Sequence, residues 1–320
     1  MQLFQRELTK THDIGEEWPS FLGKVELGES FIIETMNQEC DPNGPIEVVG
    51  VKADDCVAIH IEKIEIDTNR TYNAPNGGPF YEGMGDPIPL EYKDGYFYWP
   101  KYFKLKASPS VGNIAILPGP NEENLQVSRT INHGPYKGKR NPKGWRTLVR
   151  APRDKHSHQD CWALQTGSII HMKAQIDGLG LCIDDIHAYI GQGEVGFDGI
   201  GVYGSVQLRV ERSTDWFIDW PIIETEDEIM VFSSYTSSYP KREEKKYVDI
   251  VREAYWNLRK VVANKIGGSI AEANTIVATA TNIRNCVLYG LGSYIQNTDS
   301  GSQSDYDIAV VACISKDVFV

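Results

Sequence analysis

From Ile170 to Ile176 every second residue is apolar: Ile170, Met172, Ala174 and Ile176 alternate with His171, Lys173 and Gln175. Successive side chains of a strand point to opposite faces, so this run specifies a strand with one buried face. Val206, Leu208 and Val210, alternating with Gln207, Arg209 and Glu211, specify another. After the first run, Asp177-Gly178-Leu179-Gly180 carries glycines that accept the positive φ of a tight reversal, and a β-hairpin is expected there.

These strands lie in a stretch, His156 to Glu211, that holds four of the seven histidines: His156, His158, His171 and His187. Read as extended chain, His156, His158 and Asp160 share one face and can converge on a cation. Asp185 and His187 repeat that spacing one strand later. Gly191-Gln192-Gly193-Glu194 follows, where glycines admit close approach of a ligand to the backbone and a carboxylate stands beside it. Imidazole and carboxylate donors suit zinc or a similar divalent ion, which with an open position activates a water. Glu194 is then the candidate general base. The alternative is that these are loop histidines and turn aspartates that cap backbone groups.

The run Asp185, His187, Ala188, Gly191, Gly193, Glu194 resembles the signature of the acetamidase/formamidase family, roughly D-x-H-A-x-Q-G-D-G-E. The family's earlier G-G-N-x-D stretch falls on His156, Ser157, His158 and Asp160, with Gly167-Ser168 also similar. Ile190 and Gln192 replace a glutamine and an aspartate, and His158 an asparagine. NGPIEVVGVKADDCVAIHIEKIEI, VGNIAILP and the closing ISKDVFV resemble other parts of the family. The resemblance implies hydrolysis of a small aliphatic amide of the formamide or acetamide type. His158, Asp160, Asp185 and His187 would hold the metal, most simply zinc, Glu194 would be catalytic, and His156, Gly191, Gln192 and Gly193 would face the substrate. It also implies a homo-oligomer. Gln192 favours a second reading, an inactive relative that serves as a binding module.

The remainder of the chain fits a mainly β fold, a barrel or sandwich, with a C-terminal α+β portion. Short runs separated by Pro, Gly and Asn extend from Leu27 to about Leu117. The clearest is Val57 to Glu62, whose alternation slips between Ile61 and Ile64 and so predicts a bulge. His60 is placed on its solvated face; His12 with Asp13 is a weaker ligand candidate. Asp67 to Trp99 reads as an irregular insert, a lid or subunit contact, in which Tyr96, Phe97, Tyr98 and Trp99 wall a pocket or join the core. Val248, Val251, Tyr255, Leu258 and Val262 recur at helical spacing, predicting a helix over 241–264 ended by Gly267-Gly268. Ser269 and Glu272 form a capping box ahead of a second helix over 273–280. Ile229 to Phe232 is expected to close the central sheet. The expected division is an N-terminal β domain over 1–150, a central sheet with the metal site over 151–235, and an α+β region over 236–320.

Composition narrows the partners. With 44 acidic against 32 basic residues the net charge is -12, which disfavours a general polyanion binder. Eight Lys or Arg between Lys137 and Lys155 form a local exception, but its prolines and glycine suit a solvated loop or subunit contact, and no nucleic-acid partner is expected. No apolar run reaches membrane-spanning length and the N-terminus lacks a signal pattern, so the expected location is cytoplasmic. The six cysteines form no C-x-x-C pair and read as reduced core residues. On an extended strand Cys161 points away from Asp160, with no activating partner on its face. One further constellation, Gly292-Ser293 followed by Asp305 and Asp307, has the spacing of a nucleotidyltransferase, but no third carboxylate follows except Asp317.

Overall fold

The alternating runs become strands of one large sheet, and the helical run packs across its C-terminal part. This computed structural model describes residues 1–6, 21–35, 43–73, 88–99, 101–117, 158–195, 199–213, 219–236, 245–288 and 307–319. The strands begin with β1 (Gln2–Phe4), β2 (Gly23–Glu26), β3 (Ser30–Thr35), β4 (Asn43–Val49), β5 (Cys56–Asn73) and β6 (Ile88–Pro89). Next come β7 (Glu91–Lys93), β8 (Tyr96–Trp99), β9 (Phe103–Lys106) and β10 (Ser110–Ile116). After a gap follow β11 (Ile169–Lys173), β12 (Leu179–Tyr189), β13 (Ile200–Arg212), β14 (Ile222–Glu224) and β15 (Glu228–Thr236). Helices α1 (Tyr247–Lys265) and α2 (Ile270–Ala280) lead into β16 (Asn282–Val287) and β17 (Asp307–Ser315). His12, Asp13, the basic run 137–155, His156, the tip of the insert at 74–87, Gly292, Ser293 and Asp305 lie outside the described residues.

The main ladder runs β16-β17-β15-β14-β11-β5-β13-β12-β4-β2, with β10 on β12, β3 on β13, β1 on β3 and β6 on β5. The fold is therefore mainly β with a C-terminal α+β portion, and the ladder keeps two ends instead of closing into a barrel among the described residues. Strands from before and after residue 150 interleave in it, since β5 lies between β11 and β13. The slip near Ile61 is a bulge: Ile61 pairs with Leu208 and Lys63 with Gln207, with Glu62 extra between them.

Two expectations of local order fail. The turn at 177–180 forms, with positive φ at Gly178, Leu179 and Gly180, but its flanking strands do not pair. Instead β11 joins β5 and β14, while β12 joins β10, β13 and β4. Nor does Ile229–Phe232 close the sheet, because β15 lies between β14 and β17. The reason is visible in the burial of β15 and β17. Met230, Phe232, Ala309, Val311 and Cys313 enter one core, whereas Ile229, Val231, Ile308, Val310, Ala312 and Ile314 enter a second beneath α1 and α2. A strand covered on both faces is an interior strand.

The helices end and cap where the sequence signals placed them, but α1 starts at Tyr247 instead of 241, with 241–244 outside the described residues, Val248 is exposed instead of facing the core, and α2 starts at Ile270, three residues before the expected 273. Gly267 has φ +61° just beyond α1, and Ser269 accepts from the Glu272 N–H while Glu272 accepts from the Ser269 N–H. Part of the supposed irregular insert is ordered as a separate sheet, β7-β8-β9. Its anchor is Phe97, fully buried in the main core and in ring contact with Tyr92 at 5.0 Å. Among the described residues no helix is long and apolar enough to cross a membrane, which says nothing of strands.

Candidate functional site

Strand β12, LGLCIDDIHAY, is buried from Leu179 through Ala188, so Asp184, Asp185 and His187 sit where ionisable groups persist only with partners. His187 Nε2 lies 3.3 Å from Asp185 Oδ1. Asp185 has φ +57°, and this left-handed residue interrupts the ladder: Val111 pairs with Ile186 and Asn113 with Asp184. The residue opposite the interruption is Gly112. A Cβ there would lie 2.6 Å from Asp160 Oδ1 and 2.7 Å from Asp185 Oδ2. Only glycine leaves room for both carboxylates.

Asp160 arrives by a route that strand periodicity does not describe. His158 and Asp160 have φ +53° and +40°, so 158–160 is a loop, and the argument from a common strand face fails. The loop is instead bound to β10. The Asp160 N–H donates to the Gly112 carbonyl at 2.8 Å, and the His158 N–H donates to Asn113 Oδ1 at 2.7 Å. The Gln159 side chain accepts from the Ile114 N–H and donates to the Ile114 carbonyl, as a neighbouring strand would. Together these contacts bring Asp160, Asp185 and His187 into one buried group whose ligand atoms all lie within 4.8 Å of one another. His158 is half-buried and is not among them.

Glu194 stands beside this group, with Oε1 3.8 Å from His187 Nε2. It occupies a turn in which its N–H donates to the Gly191 carbonyl and the Gly193 carbonyl accepts from the Leu288 N–H at the end of β16. Gly193 is buried; Gly191 and Gln192 are exposed. Gly199 supports the imidazole, because a Cβ there would lie 2.7 Å from His187 Cδ2.

Charge decides what this arrangement can hold. Asp160, Asp184, Asp185 and Glu194 are all buried beside the buried imidazole of His187. Burial first, then Asp160, Asp184 and Glu194, push the Asp185 carboxyl well above the usual range, and it shares a side-chain hydrogen bond with Asp160. Two such carboxyls stay together only with a proton between them or a cation across them. Two carboxylates and an imidazole are an ordinary donor set for a divalent ion and leave coordination positions open. The group can therefore bind a metal ion.

Several residues here escape the sequence reading: Gly112, Asn113, Gln159 and Gly199. A glycine inside a β-branched run, as in SVGNIAI, is the one signal that could have marked Gly112 as a point of close approach. His171, expected on a solvated face, is buried and hydrogen-bonded to Ser213 and Glu224. Cys161 is fully buried in the main core. Asp307 begins β17.

The chain matches the model of the Acetamidase/Formamidase family over residues 105–277. No curated protein sequence matches it significantly. Its fold is similar to that of an acetamidase from Bacillus halodurans, with TM-score 0.71 and 17% identity over 99% of this chain and 98% of that one. It is also similar to a predicted acetamidase/formamidase from Thermoanaerobacter tengcongensis, with TM-score 0.73 and 17% identity over 99% and 96%. An acetamidase from Yersinia enterocolitica gives TM-score 0.72 and 18% identity over 100% and 93%.

Proposed function

Since this chain belongs to the acetamidase/formamidase family, we propose that it hydrolyses a small aliphatic amide, of the formamide or acetamide type, to carboxylate and ammonia. The observation that carries this reading is the buried Asp160, Asp185 and His187 group with Glu194 beside it. Those three residues, joined by His158 from the same loop as Asp160 on ion binding, would hold a divalent ion, zinc by the nature of the donors. When bound, such an ion polarises the amide carbonyl and acidifies a water.

The chain's own residues supply the proton traffic and the positioning. Glu194 takes a proton from the attacking water and delivers it to the amide nitrogen, which departs as ammonia as the carbon–nitrogen bond breaks. Without that transfer the amide ion is too poor a leaving group. The surrounding apolar residues of β10 and β12, among them Val111, Ile183 and Ile186, lower the local dielectric, which strengthens every charge–dipole interaction in it. Gly191 and Gly193 flank the approach without side chains to obstruct it, and Gln192 offers an amide able to hydrogen-bond the substrate, with His156 assigned to the same role. The substrate is small and neutral, so an acidic protein does not repel it.

The test is elemental analysis of the purified protein combined with ammonia release from formamide and acetamide, before and after chelation. Stoichiometric zinc and chelator-sensitive release are expected. Metal without release would assign the chain to the binding-module reading, and neither metal nor release would sink the proposal.

A further inference from the structure

Away from the carboxylate group, His171 on β11 bridges a hydroxyl and a carboxylate. Its Nδ1 lies 2.8 Å from Ser213 Oγ, and its Nε2 lies 3.1 Å from Glu224 Oε1. The ladder puts them there. His171 pairs with Ile222 of β14, which places Glu224 diagonally across, and Ser213 follows the end of β13 with its N–H donated to the Cys56 carbonyl on β5. Lys316 Nζ, 2.9 Å from Glu224 Oε2, holds the carboxylate from the other side.

We propose that Ser213 is an activated nucleophile, which with His171 and Glu224 forms a second reactive centre for small activated esters, separate from the amide-hydrolysing site and independent of it.

The tautomer supports this. Burial alone would raise the Glu224 carboxyl, but the hydrogen bonds and charges of His171 and Lys316 outweigh it and hold it down at about 2. Ionised Glu224 is an acceptor-only partner, so whenever the imidazole is neutral its proton sits on Nε2, facing Glu224. Nδ1 then presents a lone pair to the Ser213 hydroxyl, the relation that activates a serine. His171 is buried and Ser213 is half-buried. The neighbouring Cys56 thiol, which also hydrogen-bonds the Ser213 side chain, is raised by burial more than that bond and Lys173 lower it, and so competes weakly as a nucleophile.

In the reaction Ser213 Oγ bonds to the acyl carbon and the ester carbon–oxygen bond breaks. The hydroxyl proton passes to His171 Nδ1 and from there to the departing alkoxide. Water then attacks the acyl-serine by the same proton path, releasing the acid and restoring the hydroxyl.

The test uses the full chain and a fluorophosphonate, with peptide mass spectrometry to locate the adduct. One adduct per chain on Ser213 is expected, at an equal rate with and without chelator. His171→Gln should slow labelling about 100-fold, the usual worth of a general base, with unchanged circular dichroism. Should that variant not fold, Glu224→Gln, which frees the tautomer, should slow it by about tenfold or more on the same ground. An adduct on Cys56 alone, no adduct, or a rate that neither variant alters would overturn the proposal and leave the three residues as a clasp between strands.

Discussion

Gly112 and Asp160 are fitted to each other by backbone and by space: the Asp160 N–H donates to the Gly112 carbonyl at 2.8 Å, and a Cβ on Gly112 would stand 2.6 Å from Asp160 Oδ1. The residue that fixes the loop also makes room for the carboxylate it delivers.

Gly112→Ala should therefore separate Asp160 from Asp185. Bound metal, measured by elemental analysis after dialysis, is expected to fall to a small fraction of wild type. The overpacked strand should also lose about 1–3 kcal/mol in urea unfolding. Full metal content in a folded Gly112→Ala protein would refute the geometry.

Asp185→Asn separates function from stability. Burial and three neighbouring carboxylates disfavour an ionised Asp185, so the neutral amide should stabilise the metal-free protein, by an amount of order 1–3 kcal/mol. The same change should abolish the rise in Tm expected when zinc is added to the wild-type protein. A metal-free variant that melts below metal-free wild type would contradict the charge argument.

Glu194→Gln keeps the size of the side chain and removes the proposed general base. Ammonia release should drop by roughly 100-fold or more, while metal content stays near that of wild type. Loss of metal in this variant would move Glu194, 3.8 Å from His187 Nε2, from base to ligand.

The His171, Glu224 and Lys316 cluster predicts an acid-side loss of stability. Glu224 titrates at about 2 in the folded chain against 4.5 for an unperturbed glutamate. Between those values the unfolded state binds more protons, so stability rises with pH across the window. The contribution is complete above about pH 4.5 and disappears as pH falls towards 2. The stability difference between wild type and Glu224→Gln, taken from urea melts across that range, should shrink on acidification; a constant difference would show that the charge of Glu224 is immaterial.

Phe97 tests the small sheet β7-β8-β9. Fully buried in the main core, it should cost about 3–5 kcal/mol when truncated to alanine. Protease cleavage between Glu91 and Lys106 should rise in parallel. If stability falls without new cleavage there, Phe97 supports the core but does not anchor the sheet.

Much of the candidate site is legible in the sequence because Asp185, His187 and Glu194 lie within ten residues of one another on one strand and its turn. Local chain geometry alone keeps them near. Asp160 is legible as a residue type and not as a position, since its left-handed backbone breaks the alternation from which a face is read. His158 shows the cost of that break: it shares the expected spacing, yet it does not enter the group with Asp160.

By itself the sequence determined everything set by short-range sterics and periodicity: the strands β11 and β13, the half-burial of β13 but not of β11, the bulge at Glu62, the capping box at Ser269, the glycine end of α1 and the family of the chain. Only the tertiary structure decided which strands pair. The turn at 177–180 does not make its neighbours a hairpin, β15 is interior, and Gly112 meets Asp160 and Asp185. The physical reason is that strand order is chosen by burying faces against two cores at once, a condition on the whole sheet that no single window of residues contains.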